Sequence, residues 1–160
     1  MRHAAWIGLV LLALPAGRAR AEHFDIDLTI EAGRDRQTAH SDTDPPFEGH
    51  QPRPVVKGKA GESLVLQFFF TSAFPHGVEK GVVVHYYVAP EKAVGQKGRP
   101  DFGKDVVTEG QFVLDFKPKG KVGLRHRLRI DRPGVYLVRV ESDHSDSDHE
   151  HFAALDLVIE

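Results

Sequence analysis

Histidine is the residue type in this chain whose numbers and spacing could do chemistry. The sequence holds ten, with no cysteine. The densest group is Asp143-His144-Ser145-Asp146-Ser147-Asp148-His149-Glu150-His151. Imidazoles without a competing thiolate select copper or zinc among transition metals. His144, His149 and His151 are the expected ligands, with His76 and His85 as further members. Such ligands bind as neutral imidazoles, so affinity would fall as pH drops through about 6.5. A solvated Ser/Asp/His turn has the same composition and needs no metal. The acids suggest calcium as a rival, but counting from Asp146, position six is His151 rather than Gly and position twelve is Leu157, which excludes an EF-hand loop. Beyond the metal no cofactor is called for.

The elements that must position these histidines read as strands. Tyr136, Val138 and Val140 alternate with polar residues, as do Ala153, Leu155, Leu157 and Ile159. If the two segments form a hairpin, pairing 136 with 157, 138 with 155 and 140 with 153 keeps both apolar sets on one face. That register sets Ser142 opposite His151 and His144 opposite His149. Directly opposed residues have Cβ atoms about 4.5–5.5 Å apart, close enough for two imidazoles to share an ion at about 2.0–2.1 Å. His76 lies in a loop expected at the same end of the molecule. For His85 two facings are open: taking Val82, Val84, Tyr86 and Val88 as the core set turns it outward.

Further period-two segments are Phe24–Ile30, Leu64–Phe70, Val82–Ala89, Phe112–Phe116 and Val122–Ile130, with a short strand at Val55–Lys57. Residues 34–54 and 90–110 read as long loops, rich in Pro, Gly and charge. No segment carries a helical apolar stripe. The expectation is an all-β, immunoglobulin- or fibronectin-like β-sandwich of seven to eight mostly antiparallel strands. Asp131-Arg132-Pro133-Gly134-Val135-Tyr136 resembles the tyrosine corner of such sandwiches, with the hydroxyl tied to backbone near Asp131. His126, flanked by Leu124 and Leu128, reads as a core histidine.

Met1-Arg2-His3, the apolar run Ala4–Leu14 and Ala19-Arg20-Ala21 have the layout of a secretory signal peptide cleaved after Ala21. Eleven apolar residues rise about 16 Å as a helix, half of a hydrocarbon core. The expectation is therefore a signal peptide at 1–21, one domain at 22–160, no membrane span after cleavage, and a secreted or periplasmic location. Cleavage removes Arg2, Arg18 and Arg20 and no acid, leaving 18 basic and 23 acidic side chains and a net charge of −5. That balance argues against a nucleic-acid partner.

Arg125, Arg127 and Arg129, with Lys117, Lys119 and Lys121, form a local basic strip. One reading is a solvated strand face paired with Asp115. The other is a surface for an anionic polysaccharide or a protein partner. There is no G-x-S-x-G elbow, HExxH or P-loop. A sandwich without a catalytic constellation reads as a non-enzymatic binding or interaction module, not an enzyme.

The stretches Arg132–Leu137 and His149–Leu157 (HEHFAALDL) resemble small secreted immunoglobulin-like proteins of planctomycete-type bacteria. The resemblance implies an extracytoplasmic location and an all-β fold, and brings no catalytic residue with it.

Overall fold

The computed structural model describes residues 24–41, 53–72, 78–96, 106–143 and 151–160. Among these residues nine strands pack as two sheets: β1 (Phe24–Ala32), β2 (Asp35–His40), β3 (Val55–Gly58), β4 (Ser63–Ser72), β5 (Glu79–Glu91), β6 (Thr108–Phe116), β7 (Lys121–Arg129), β8 (Gly134–Asp143) and β9 (His151–Ile159). One sheet has the order β2-β1-β4-β7 and the other β3-β9-β8-β5-β6. All neighbours are antiparallel except β3 and β9. The chain is an all-β sandwich. Among the described residues no helix is long and apolar enough to cross a membrane.

Period-two alternation produces the core. Ile26, Leu28 and Ile30 of β1 and Leu64, Leu66, Phe68 and Phe70 of β4 are buried against Val82, Val84 and Val88 of β5, Tyr136, Val138 and Val140 of β8, and Ala153, Leu155 and Leu157 of β9. The β8–β9 register is the expected one: 136 opposes 157, 138 opposes 155, 140 opposes 153 and Ser142 opposes His151. His126 lies on the core face of β7, half-buried, its ring 5.5 Å from that of Tyr86.

Two features depart from expectation. Asp35–His40 forms a strand inside the stretch 34–54 expected to be loop. As an edge strand it buries one apolar side chain, Ala39, so it shows no apolar periodicity. The five-stranded sheet also carries a second apolar cluster on its far face, where Tyr87, Ala89, Leu137 and Ala154 are buried together with Val106 packed on them. Its middle strands are therefore covered on both sides, which explains the nearly continuous burial of Ala153–Leu157.

Among the described residues the sandwich is closed on one side and open on the other. At the β2/β3 side Ala39 and Val56 are fully buried. At the other side β6 and β7 each end their sheet. Their core-face residues Phe112, Leu114, Val122, Leu124 and Leu128 are only partly buried.

Candidate functional site

Three side chains from different strands stand in one row on the outer face of the five-stranded sheet. Register sets Gln111 of β6 opposite His85 of β5, and His85 opposite Glu141 of β8. Adjacent strands lie about 4.8 Å apart, so the three polar heads span roughly 10 Å. One pleat along, Glu109, Tyr87 and Arg139 form the next row. An open concavity of about 490 Å³ is lined here by His85, Tyr86, Tyr87, Glu109, Gly110, Gln111 and Glu141.

Local sequence builds this hollow. Gly110 opposes Tyr86, and a Cβ at Gly110 would stand 2.6 Å from the Tyr86 Cζ. The missing side chain lets the Tyr86 ring pass close to the β6 backbone on the core face behind the hollow, tilted against Phe68 and Phe112 at 5.3 and 6.5 Å. The floor is Tyr87, buried among Ala89, Leu137 and Ala154. Glu141 is held in place: the Arg139 Nε lies 2.8 Å from its Oε2, a close approach of charges without hydrogen-bond alignment. Arg139 is 1% exposed, and its guanidinium carbon sits 4.5 Å over the Phe152 ring. A buried guanidinium beside a carboxylate fixes that carboxylate's position, since separating the two would strand a charge in low dielectric.

A second polar cluster lies on the same outer face, toward β3. Arg53 Nη2 donates to Glu91 Oε2 at 2.7 Å and lies 2.7 Å from Asp156 Oδ1, without hydrogen-bond alignment in the second case. The side chains are 3%, 0% and 0% exposed. Asp156 Oδ2 also accepts from Gly95 N at 2.7 Å, and Asp156 N donates to Pro54 O at 2.9 Å. The cluster thus ties the segment after β5 and the entry to β3 onto β9. Two carboxylates against one guanidinium leave an excess negative charge. Burial first, then the neighbouring Asp156, pushes the Glu91 carboxyl up to about 7 against the opposing pull of Arg53. Closed to solvent, these residues hold the structure together rather than face a ligand.

The expected histidine cluster is placed only in part. His76, His144 and His149 lie outside the described residues. His151 shares the core face of its sheet with Ser142, whereas His85 stands on the outer face. His85 and His151 therefore do not meet on one face, and the outward facing of His85 is the one that holds. Among the described residues no three His, Asp or Glu side chains converge as a metal-ligand set. The basic strip also differs from expectation. Asp115 lies in the other sheet, where its Oδ1 accepts from Gly81 N at 3.0 Å, so it does not pair with the arginines. Arg125 instead lies 3.7 Å from Glu31, and Arg129 2.7 Å from Asp131.

Sequence reasoning passed over Gln111, Glu141 and Tyr87 because each sits at an unremarkable alternate position. Only the pairing of β6, β5 and β8 shows that they adjoin. A signal for the outer-face clusters was present: Arg139 and Asp156 interrupt the apolar runs of β8 and β9.

No family model and no curated protein sequence matches this chain. Solved structures similar to it include a chitin-binding domain from Burkholderia pseudomallei, at 18% identity over 69% of this chain and 58% of that one, TM-score 0.44. A lytic polysaccharide monooxygenase from Streptomyces lividans is similar at 15% identity over 68% and 59%, TM-score 0.36. A family 123 glycoside hydrolase from Clostridium perfringens is similar at 8% identity over 84% of this chain and 27% of that one, TM-score 0.46. This chain spans less than two thirds of the length of each. The likeness concerns strand arrangement alone.

Proposed function

We propose that the protein is a non-enzymatic binding module that takes a neutral, hydroxyl-rich ligand, an oligosaccharide segment, into the hollow beside His85. The observation that carries this reading is the row Gln111–His85–Glu141 over the Tyr87 floor in an open concavity. An amide, an imidazole and a fixed carboxylate supply both donors and acceptors to sugar hydroxyls. Tyr87 at the floor adds aromatic surface beneath a pyranose ring. The lining contains Glu109 and Glu141 and no Lys or Arg, which disfavours anionic ligands. The volume lies within the usual range of small-ligand sites. The layout of residues 1–21 supports an extracytoplasmic setting. Calorimetric titration with neutral oligosaccharides built from glucose, mannose, xylose or N-acetylglucosamine, against a sulfated glycan, tests it. Binding of a neutral glycan that Gln111→Ala weakens about tenfold or more supports the reading. Binding of the sulfated glycan alone, or none at millimolar concentration, overturns it.

A second reading is favoured by the β8–β9 register, in which Ser142 opposes His151. We propose that His144 and His149, in the segment that follows Asp143, can hold Cu(II) or Zn(II) with His151. Titration of metal-stripped protein with each ion checks this. Binding unchanged in His149→Ala/His151→Ala contradicts it.

A further inference from the structure

The open side of the sandwich has a self-complementary pattern. The strands β6 and β7 are joined by the tight turn Lys117–Gly120, closed by Gly120 N donating to Lys117 O at 2.8 Å. They therefore run antiparallel while each ends a different sheet. Tyr86, opposite Gly110 in β6, has its ring 5.5 Å from His126 in β7. Tyr86 also meets Phe68, which pairs with Leu124, so Gly110 lies level with the stretch Leu124–His126, and the turn flanked by Phe116 and Lys121 selects the His126 end, setting Gly110 with His126. Stepping from that pair in opposite directions matches Glu109 with Arg127, Gln111 with Arg125, Phe112 with Leu124, Val113 with Gly123, Leu114 with Val122 and Asp115 with Lys121.

The two matches between charged residues, Glu109 with Arg127 and Asp115 with Lys121, are of opposite sign, and each inward match is apolar or sets His126 against a glycine. Glu109, Asp115, Lys121, Arg125 and Arg127 are all exposed. Val113, at 61% the most exposed of the large apolar side chains described, falls opposite Gly123, over which the Phe69 ring lies as an apolar partner. Within one chain these partners are held apart by the thickness of the sandwich, about 10 Å between sheets. A second copy brings them together. A two-fold axis running along the strands carries β7 of one copy beside β6 of the other and preserves the heights. It makes the reciprocal β7–β6 pair at the same time. The contact is isologous and closes, as two-fold interfaces do.

We propose that this open side is a dimer interface, with β6 of each copy pairing antiparallel to β7 of the other and both half-covered core flanks buried against each other. Main-chain hydrogen bonds along the two edges would supply affinity and the alternating charges would set register, as in other cases of strand addition. The proposal rests on residues of the β6 and β7 edges, and would stand whether or not the hollow at His85 takes a glycan.

Sedimentation equilibrium of the purified protein tests it, using Arg127→Glu and Glu109→Lys. Each substitution sets like charges against each other in both seams, so each variant alone should dimerise at least about tenfold more weakly than the wild type. Mixed one to one, the two variants should form a heterodimer, since one seam then reads Glu109 against Arg127 and the other Lys against Glu. Circular dichroism of each variant establishes that the sandwich is intact. A wild-type protein that is monomeric at about 100 µM overturns the proposal and leaves the charges as ordinary solvation of edge strands. A dimer indifferent to Arg127→Glu, or single variants that associate no better when mixed, overturns it as well.

Discussion

The Tyr136 hydroxyl donates a 2.6 Å hydrogen bond to the carbonyl of Arg132, four residues upstream. The ring is 3% exposed and belongs to the main core. One side chain thus fixes the turn into β8, and β8 is the strand that carries Glu141 and Arg139.

Removing that tie separates its two roles. Tyr136→Phe keeps the ring and leaves the Arg132 carbonyl without this donor, at a cost of about 1–3 kcal/mol. Tyr136→Ala also opens a cavity and should cost about 3–5 kcal/mol. Arg36→Ala, at an exposed position, should cost less than about 0.5 kcal/mol. Urea melts of the three variants check the order. Tyr136→Ala as harmless as Arg36→Ala would contradict it.

The pH dependence of stability follows from Glu91. Its carboxyl is raised from the ordinary 4.5 to about 7 in the folded protein, chiefly by burial. The folded state therefore holds a proton between those values that the unfolded state has released. The stabilisation is complete below about 4.5 and is lost as pH rises through about 7. The loss should be on the order of 3 kcal/mol. Glu91→Gln mimics the protonated acid beside Arg53 and Asp156, so its melting temperature should fall less between pH 5 and pH 8 than that of the wild type. Equal slopes in thermal melts across that range would contradict the assignment.

Much of this architecture was legible in the residues, and the limits are physical. Alternation on the core face gave the β8–β9 register, because half-buried strands must keep apolar sets together, but it left the facing of His85 open, since β5 is apolar on both faces. The tyrosine corner was legible from Arg132-Pro133-Gly134 before Tyr136. Strand β2 was not, because an edge strand needs only Ala39 inside. The Arg53–Glu91–Asp156 cluster joins three distant segments, and no local pattern announces it. The row through His85 exists only once strand order is known. The histidines 76, 144 and 149 lie outside the described residues.

Gly110 leaves room for the Tyr86 ring on the core face of the sheet by lacking a side chain. Gly110→Ala would force its Cβ into the Tyr86 ring and drive that ring from Phe68 and His126. Overpacking of this kind costs about 1–3 kcal/mol. The near-ultraviolet tyrosine signal should change with it. A variant as stable as the wild type with an unchanged spectrum would show that the ring is not held there.

The most direct test of the binding reading is a nitrogen-15 NMR titration of the purified protein with the neutral oligosaccharides named above. The predicted result is saturable shifts confined to the amides of residues 85–87, 109–111 and 139–141, abolished in His85→Ala/Gln111→Ala. Shifts centred on Arg125–Arg129 instead, or none anywhere at millimolar ligand, would contradict the account.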